Sequence, residues 1–338
     1  MSKKKVTFAD IAKYTGFSKT TISRYFNDPD SLTLENQEKI AKALDELDYQ
    51  ENKLAKVLAN GKSEFVGIII PNLYLHYYSE MLNQLLSSYT DYHYKFLVFV
   101  SSDQKELEQQ YLDELMAYKI EGLIVLSHTF PSEKLASYHI PIVAIEREAE
   151  HICSVNTDNY MGAVQAATLL IRNQCEILIH VNVPVPKQVP AYNRIRGFED
   201  TCIEHHVPYE LMLQDFGSTY ETTYEAIFVK IDNAYPGKKK GVFLANDTYA
   251  NIFLNLVFQK YGTLPQEYQI MGFDNSPIAN ESIIPISTIG QQIDQISKTA
   301  MELLILQMNE MKKRQPVPLS EPIHKQITPV LIRRNTTD

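Results

Sequence analysis

Several polar and charged residues in the chain directly follow short apolar runs. Phe65 to Ile70 is followed by a segment holding Asn72, Tyr74, Tyr77 and Tyr78. Ile142 to Ile145 is followed by Glu146, Val242 to Ala245 by Asn246-Asp247, and Ile270 to Phe273 by Asp274-Asn275. Arg194 stands in Arg194-Ile195-Arg196-Gly197-Phe198. Carboxylates and amides exchange hydrogen bonds with hydroxyls, and Arg donates a fork. Aromatic faces cover the C–H surface of a ring. Together these residue types suit a polyol. Acids after strands also cap helices, and Asp247 is expected to be such a cap.

A second group lies near the N-terminus. Thr7-Phe8-Ala9-Asp10 reads as a helix start, with an acid three residues after the cap. Gly16 stops that helix, and Ser18 caps the next, Lys19 to Phe26. A third runs from Thr33 or Leu34 to Asp48, with Ile40, Leu44 and Leu47 on one face. Two short helices about a Gly-containing turn make a helix-turn-helix. Ile22 and Phe26 point inward. Lys19, Thr20, Ser23 and Arg24 are left outward, donor-rich side chains suited to phosphates and base edges.

Charge agrees. Residues 1–27 carry six cations against Asp10, residues 28–52 are acidic, and the whole chain of 338 residues has a net charge of −9. A small basic head on an acidic body suggests a nucleic-acid-binding head.

The head motif resembles the DNA-binding domain of the lactose-repressor (LacI/GalR) family of bacterial regulators. The match runs through Thr7 to Ala12, Gly16 to Asn27, Leu47-Asp48-Tyr49 and Asn52 to Leu58, and continues in patches to the C-terminus. The resemblance implies a DNA-facing set of Thr7, Ser18, Lys19, Thr20, Thr21, Ser23, Arg24 and Asn27. It makes residues 51–62 a hinge with Asn52, Lys53, Ala55 and Leu58 on the DNA. Leu58 falls where the family inserts a leucine into the minor groove, a wedge able to kink a duplex. Glu51 replaces the family's usual proline.

The rest reads as repeated strand–helix units, hence an α/β body with parallel sheets. The resemblance implies a two-lobed body like type I periplasmic binding proteins. The expected domains are 1–50, a hinge at 51–62, and a body at 63–338. Its first lobe covers 63–160 and 291–322, its second 161–290 and 323–338. A last strand is expected near Ile327 to Ile332. Ligands sit at strand C-terminal ends and between lobes. The expected effector set is therefore Asn72, Tyr74, Tyr77, Glu146 and Asn246, to which the resemblance adds Arg194 and Asp274, matching the family's effector arginine and aspartate, and, at a lobe crossover, Gln291. The family's Asn-Pro before an aromatic pair is Leu75-His76 here.

Catalytic signatures are weak. Gly61-Lys62-Ser63 resembles the end of a phosphate-binding loop, but Lys56 stands where the first glycine is needed. His205 and His206 are adjacent and point apart. Cys153, Cys175 and Cys202 fit neither a disulfide framework nor a zinc site. No run reaches a membrane span, and no apolar signal segment follows the first residues. The expectation is a cytoplasmic, non-enzymatic, homodimeric repressor without cofactor or membrane. It binds a pseudo-palindromic double-stranded operator and a sugar or sugar phosphate. The alternatives are a body that binds a protein corepressor, or a sugar-binding or sugar-modifying protein.

Overall fold

Thr7 opens the first helix, Phe8–Thr15. Its backbone N–H and its hydroxyl both donate to Asp10 Oδ2, at 2.8 and 2.6 Å. Gly16 ends the helix at φ 77°, a left-handed conformation that glycine adopts without a Cβ penalty. Ser18 Oγ then accepts from Thr21 N at 3.1 Å and starts Lys19–Asn27. The third helix, Leu34–Glu46, ends two residues earlier than periodicity suggests, because Leu47 and Asp48 form its closing turn. Ile11, Ile22, Ile40 and Ala43 are buried at the centre of these three helices, with Phe8, Phe26 and Tyr49 packed round them.

The computed structural model describes residues 6–49, 63–215, 220–317, 319 and 321–337. The chain divides into two units, Met1–Lys62 and Ser63–Asp338. Among the described residues, no helix is long and apolar enough to cross a membrane.

The second unit contains two six-stranded sheets. The first uses β1 (Phe65–Ile70), β2 (Lys95–Val100), β3 (Gly122–Val125), β4 (Ile142–Ile145), β5 (Cys153–Thr157) and β11 (His324–Ile327). Their spatial order is β11-β5-β4-β3-β1-β2, and every pairing is parallel. The second uses β6 (Ile177–Asn182), β7 (Tyr209–Leu213), β8 (Lys240–Leu244), β9 (Tyr268–Asp274), β10 (Ser287–Gly290) and β12 (Val330–Ile332). Its order is β12-β10-β9-β8-β6-β7, parallel except for β12 against β10. Buried apolar clusters lie on both faces of each sheet, which explains the near-continuous apolar strands.

Two expectations need correction. The segment 323–338 does not belong wholly to the second lobe: His324–Ile327 pairs in parallel with β5 of the first sheet. The single last strand is also two, because the chain crosses between lobes at Thr328-Pro329. Pro329 has no N–H to donate, and the ladder breaks there. As the resemblance implies, the helix Ile293–Met311 returns to the first lobe, where Ile296, Ala300, Leu304 and Met308 join its core.

The lobes are thus joined at three short crossovers, at Asp158, at Gln291-Gln292 and at Thr328-Pro329. They are tied to one another. Asp158 N donates to Ile327 O at 2.9 Å, and Gln292 Nε2 to Thr328 O at 2.8 Å.

Candidate functional site

In each sheet the strand order reverses once, between β1 and β3 in the first and between β6 and β8 in the second. Crevices outside the carboxyl ends of strands at such points bind ligands in open α/β sheets. A cavity of about 200 Å³ lies there, between the lobes. Tyr77 and Tyr78 after β1, His128 after β3 and Glu146 after β4 form one side. Asn182 at the end of β6, Asn246 after β8 and Asp274 at the end of β9 form the other, with Arg194 and Gln291.

The crossovers organise the charges. Asn159 starts the helix Asn159–Arg172 directly after the first crossover and is almost wholly buried. Its Nδ2 donates to Glu146 Oε2 at 2.9 Å, and its Oδ1 accepts from Arg194 Nε at 2.6 Å. Glu146 also accepts from Thr157 N. Arg194 Nη1 donates to Ala245 O at 2.7 Å, and the guanidinium lies 3.6 Å from the centre of the Phe273 ring. At the second crossover Gln291 Nε2 donates to Asp274 Oδ1 at 2.6 Å, while Gln291 Oε1 accepts from Thr157 Oγ1 at 2.5 Å. Each amide therefore ties a strand end of the first lobe to a charged residue of the second.

Burial pushes the Asp274 carboxyl up to about 7, against the pull of Arg194 and the hydrogen bond from Gln291. Burial raises Glu146 as well, again opposed by Arg194. Both acids occupy left-handed backbone, at φ 53° for Glu146 and 109° for Asp274. Such conformations cost non-glycine residues free energy and cluster at ligand sites. The Tyr77 hydroxyl is buried without a hydrogen-bond partner among the described residues. A ligand hydroxyl brought within reach would supply one.

Of the expected effector set, Tyr77, Glu146, Arg194, Asn246, Asp274 and Gln291 line this cavity. Asn72 and Tyr74 do not. Asn72 Oδ1 accepts from Leu75 N at 3.1 Å and shapes the turn, and Tyr74 is half exposed. Asn246, not Asp247, caps its helix, accepting from Tyr249 N at 2.9 Å. Asp247 is buried over Gly272 and accepts from Ser276 N at 2.7 Å and Thr288 Oγ1 at 2.6 Å. It supports the loop that directly follows Asp274.

Sequence reasoning missed Asn182, His128, Tyr249 and the positioning residues Asn159 and Thr157. Asn182 had the same signal as Asn246, an amide closing an apolar run. Its orientation depends on buried His180. If His180 Nδ1–H donates to Phe243 O (2.9 Å), its Nε2 can accept from Asn182 Nδ2 (3.2 Å).

In the head, Thr7, Ser18, Lys19, Thr20, Arg24 and Asn27 are exposed, and Thr21 and Ser23 half-buried. Thr20 and Arg24, two residues either side of Ile22, thus lie opposite its face, and Lys19 is exposed at the helix start. Thr7 and Ser18 already serve as caps, and Asn27 Nδ2 donates to Ser23 O at 3.0 Å. Asn52, Lys53, Ala55 and Leu58 lie outside the described residues.

Known proteins share this organisation. The family model "Bacterial regulatory proteins, lacI family" matches residues 7–52, and "Periplasmic binding proteins and sugar binding domain of LacI family" matches 63–236. "Periplasmic binding protein-like domain" matches 168–337. The ribose operon repressor of Halalkalibacterium halodurans is 26% identical, over 90% of this chain and 91% of its own. The sucrose operon repressor of Streptococcus mutans is 29% identical, over 88% and 91%. Among solved structures, the Lac repressor dimer bound to operator and an anti-inducer superposes with a TM-score of 0.83 at 19% identity, covering 99% of both chains. A periplasmic binding protein/LacI transcriptional regulator from Alkaliphilus metalliredigens, complexed with D-xylulofuranose, has a TM-score of 0.70 at 25% identity, covering 82% of this chain and 100% of its own. A helix-turn-helix unit and a two-lobed body, each matched by its own profile, make this chain a member of the LacI family of bacterial regulatory proteins.

Proposed function

We propose that the protein is a transcriptional repressor of sugar-utilisation genes, acting in the cytoplasm as a homodimer on a pseudo-palindromic operator. Lys19, Thr20 and Arg24 read the major groove, and residues 51–62 form the hinge, with Leu58 entering the minor groove. The body holds a sugar-like effector between its lobes and performs no turnover. The observation that carries this reading is the meeting of Glu146, Arg194, Asp274 and Gln291 in one cavity at the crossovers. An occupant there touches both lobes, so its affinity depends on their arrangement, and that difference is what couples it to DNA.

Two buried carboxylates face one guanidinium, two of whose nitrogens already donate within the protein. That balance favours a neutral polyol over a sugar phosphate, because an anion would meet like charge in a desolvated site. Two relatives are named as repressors of the ribose and sucrose operons, which supports the sugar reading.

The test is an operator-binding titration. DNA from upstream of the gene is bound by the purified full chain, and neutral sugars and sugar phosphates are added. Release by a neutral sugar, lost in Asp274→Asn, supports the reading. Response to a sugar phosphate alone, or chemical conversion of a sugar by the protein, would replace it.

A further inference from the structure

A second cavity, of about 480 Å³, lies in the same cleft. It shares His128, Val183, Val185 and Ala191 with the inner one, so the two are compartments of one groove. Alone, the inner volume of about 200 Å³ is below the ~300–1,000 Å³ usual for small-molecule sites; with the outer compartment it is within that range.

The outer compartment has different chemistry. Its first-lobe wall is Thr129 to Pro131 after β3, with Arg147 and Glu148 after β4. Its second-lobe wall comes from the segment 183–191, which contributes two prolines and three valines. Both charges are already engaged. Arg147 is buried and donates to the carbonyls of Ser127, Phe130 and Glu148. Glu148 accepts from Ser132 N at 2.8 Å, Ser132 Oγ at 2.5 Å and Glu150 N at 2.8 Å. The Thr129 hydroxyl, by contrast, is buried with no hydrogen-bond partner among the described residues. Unsatisfied buried polar groups are rare in native proteins and call for an explanation. An apolar wall opposite an unpartnered hydroxyl, with the nearby charges already hydrogen-bonded within the protein, fits a second uncharged ring.

We infer that the effector is a neutral saccharide of two units. One ring lies among Glu146, Arg194 and Asp274, and the other lies in the outer compartment between Thr129 and the proline-rich segment. This rests on the reading of the cleft as a sugar site.

Isothermal titration of the full chain with D-glucose, D-fructose, D-galactose, sucrose, maltose, cellobiose and lactose tests both ideas separately. At least one disaccharide should bind ~10-fold or more tighter than either of its constituents. Gln188→Trp, at an exposed position on the outer rim, should bring that ratio close to one while changing constituent affinity by less than about twofold. Thr129→Val, of the same shape, should weaken the disaccharide alone by ~5-fold. The inference is overturned if constituents bind wild type as tightly as disaccharides, or if Gln188→Trp weakens both alike. Unperturbed circular dichroism of each variant excludes misfolding as the cause. If no sugar of either length binds, the sugar reading itself falls as well.

Discussion

Arg194 Nε donates to Asn159 Oδ1 at 2.6 Å, and the same amide donates from its nitrogen to Glu146 Oε2 at 2.9 Å. One neutral side chain thus orients an acid from the first lobe and a base from the second. Removing it leaves two largely buried charges each short of one hydrogen-bond partner. Asn159→Ala should lower the stability of the body by ~1–3 kcal/mol. Effector affinity should fall with it, since neither charge is then held in place. Urea midpoints and a ligand titration read the two effects. Unchanged affinity would show that Glu146 and Arg194 need no bridge.

Gly197 lies one turn after Arg194, where the helix Tyr192–Glu204 crosses Asn159–Arg172. A Cβ at Gly197 would come within 2.4 Å of the Tyr160 carbonyl oxygen. Backbone cannot yield as a side chain can, so the helices must separate. Gly197→Ala should cost ~1–3 kcal/mol as overpacking, partly offset by the ~1 kcal/mol that alanine gains in helix propensity. Because Arg194 moves with its helix, effector binding should weaken too. A variant as stable as wild type, measured by chemical denaturation, would refute the close contact.

Asp274 gives a pH signature. Its folded carboxyl titrates at about 7, against ~3.9 unfolded. Between those values the folded state holds more protons than the unfolded one. Stability from this group therefore falls as pH rises through that window and is level above it. Glu146, also raised, contributes in the same direction. Asp274→Asn removes the Asp274 part, and asparagine tolerates positive φ better than most residues. The variant's stability relative to wild type should be greater at pH 8 than at pH 5. Equal differences at both would place the carboxyl pKa in the ordinary range. Effector affinity in the same variant should drop by roughly ten- to a hundredfold.

On the helix Lys19–Asn27, two neighbouring positions should separate folding from DNA reading. Ile22 is fully buried and Arg24 is exposed. Ile22→Ala should destabilise the head by ~2–5 kcal/mol. Arg24→Ala should leave the head's melting unchanged and cost ~1–3 kcal/mol in operator affinity if it contacts a base. Gel-shift titration with the purified variant decides it, and wild-type affinity for Arg24→Ala would remove this residue from the interface.

Local patterning made much of this chain legible. Thr7, Gly16 and Ser18 mark helix ends by chemistry confined to a few residues, and Ile11, Ile22 and Ile40 supply the head's core by spacing alone. Apolar runs such as Ile142–Ile145 and Ile270–Phe273 announce buried parallel strands, so the acids that follow them stand at strand ends. Those signals in the sequence are short-range, carried by neighbours along the chain.

What it left open depends on contacts far apart along the chain. The helix cap at Asn246-Asp247 is decided by Ser276 and Thr288, which draw Asp247 into the interior and leave the cap to Asn246. The allocation of His324–Ile327 to the first sheet is decided by an open edge at β5, more than 160 residues earlier. The pairing of Glu146 with Arg194 through Asn159, and of Thr157 with Asp274 through Gln291, exists only where the crossovers bring both lobes together. Spacing along a chain encodes which face of an element is apolar. It does not encode which strand ends converge, because that follows from sheet order, and sheet order is settled by the burial of whole surfaces.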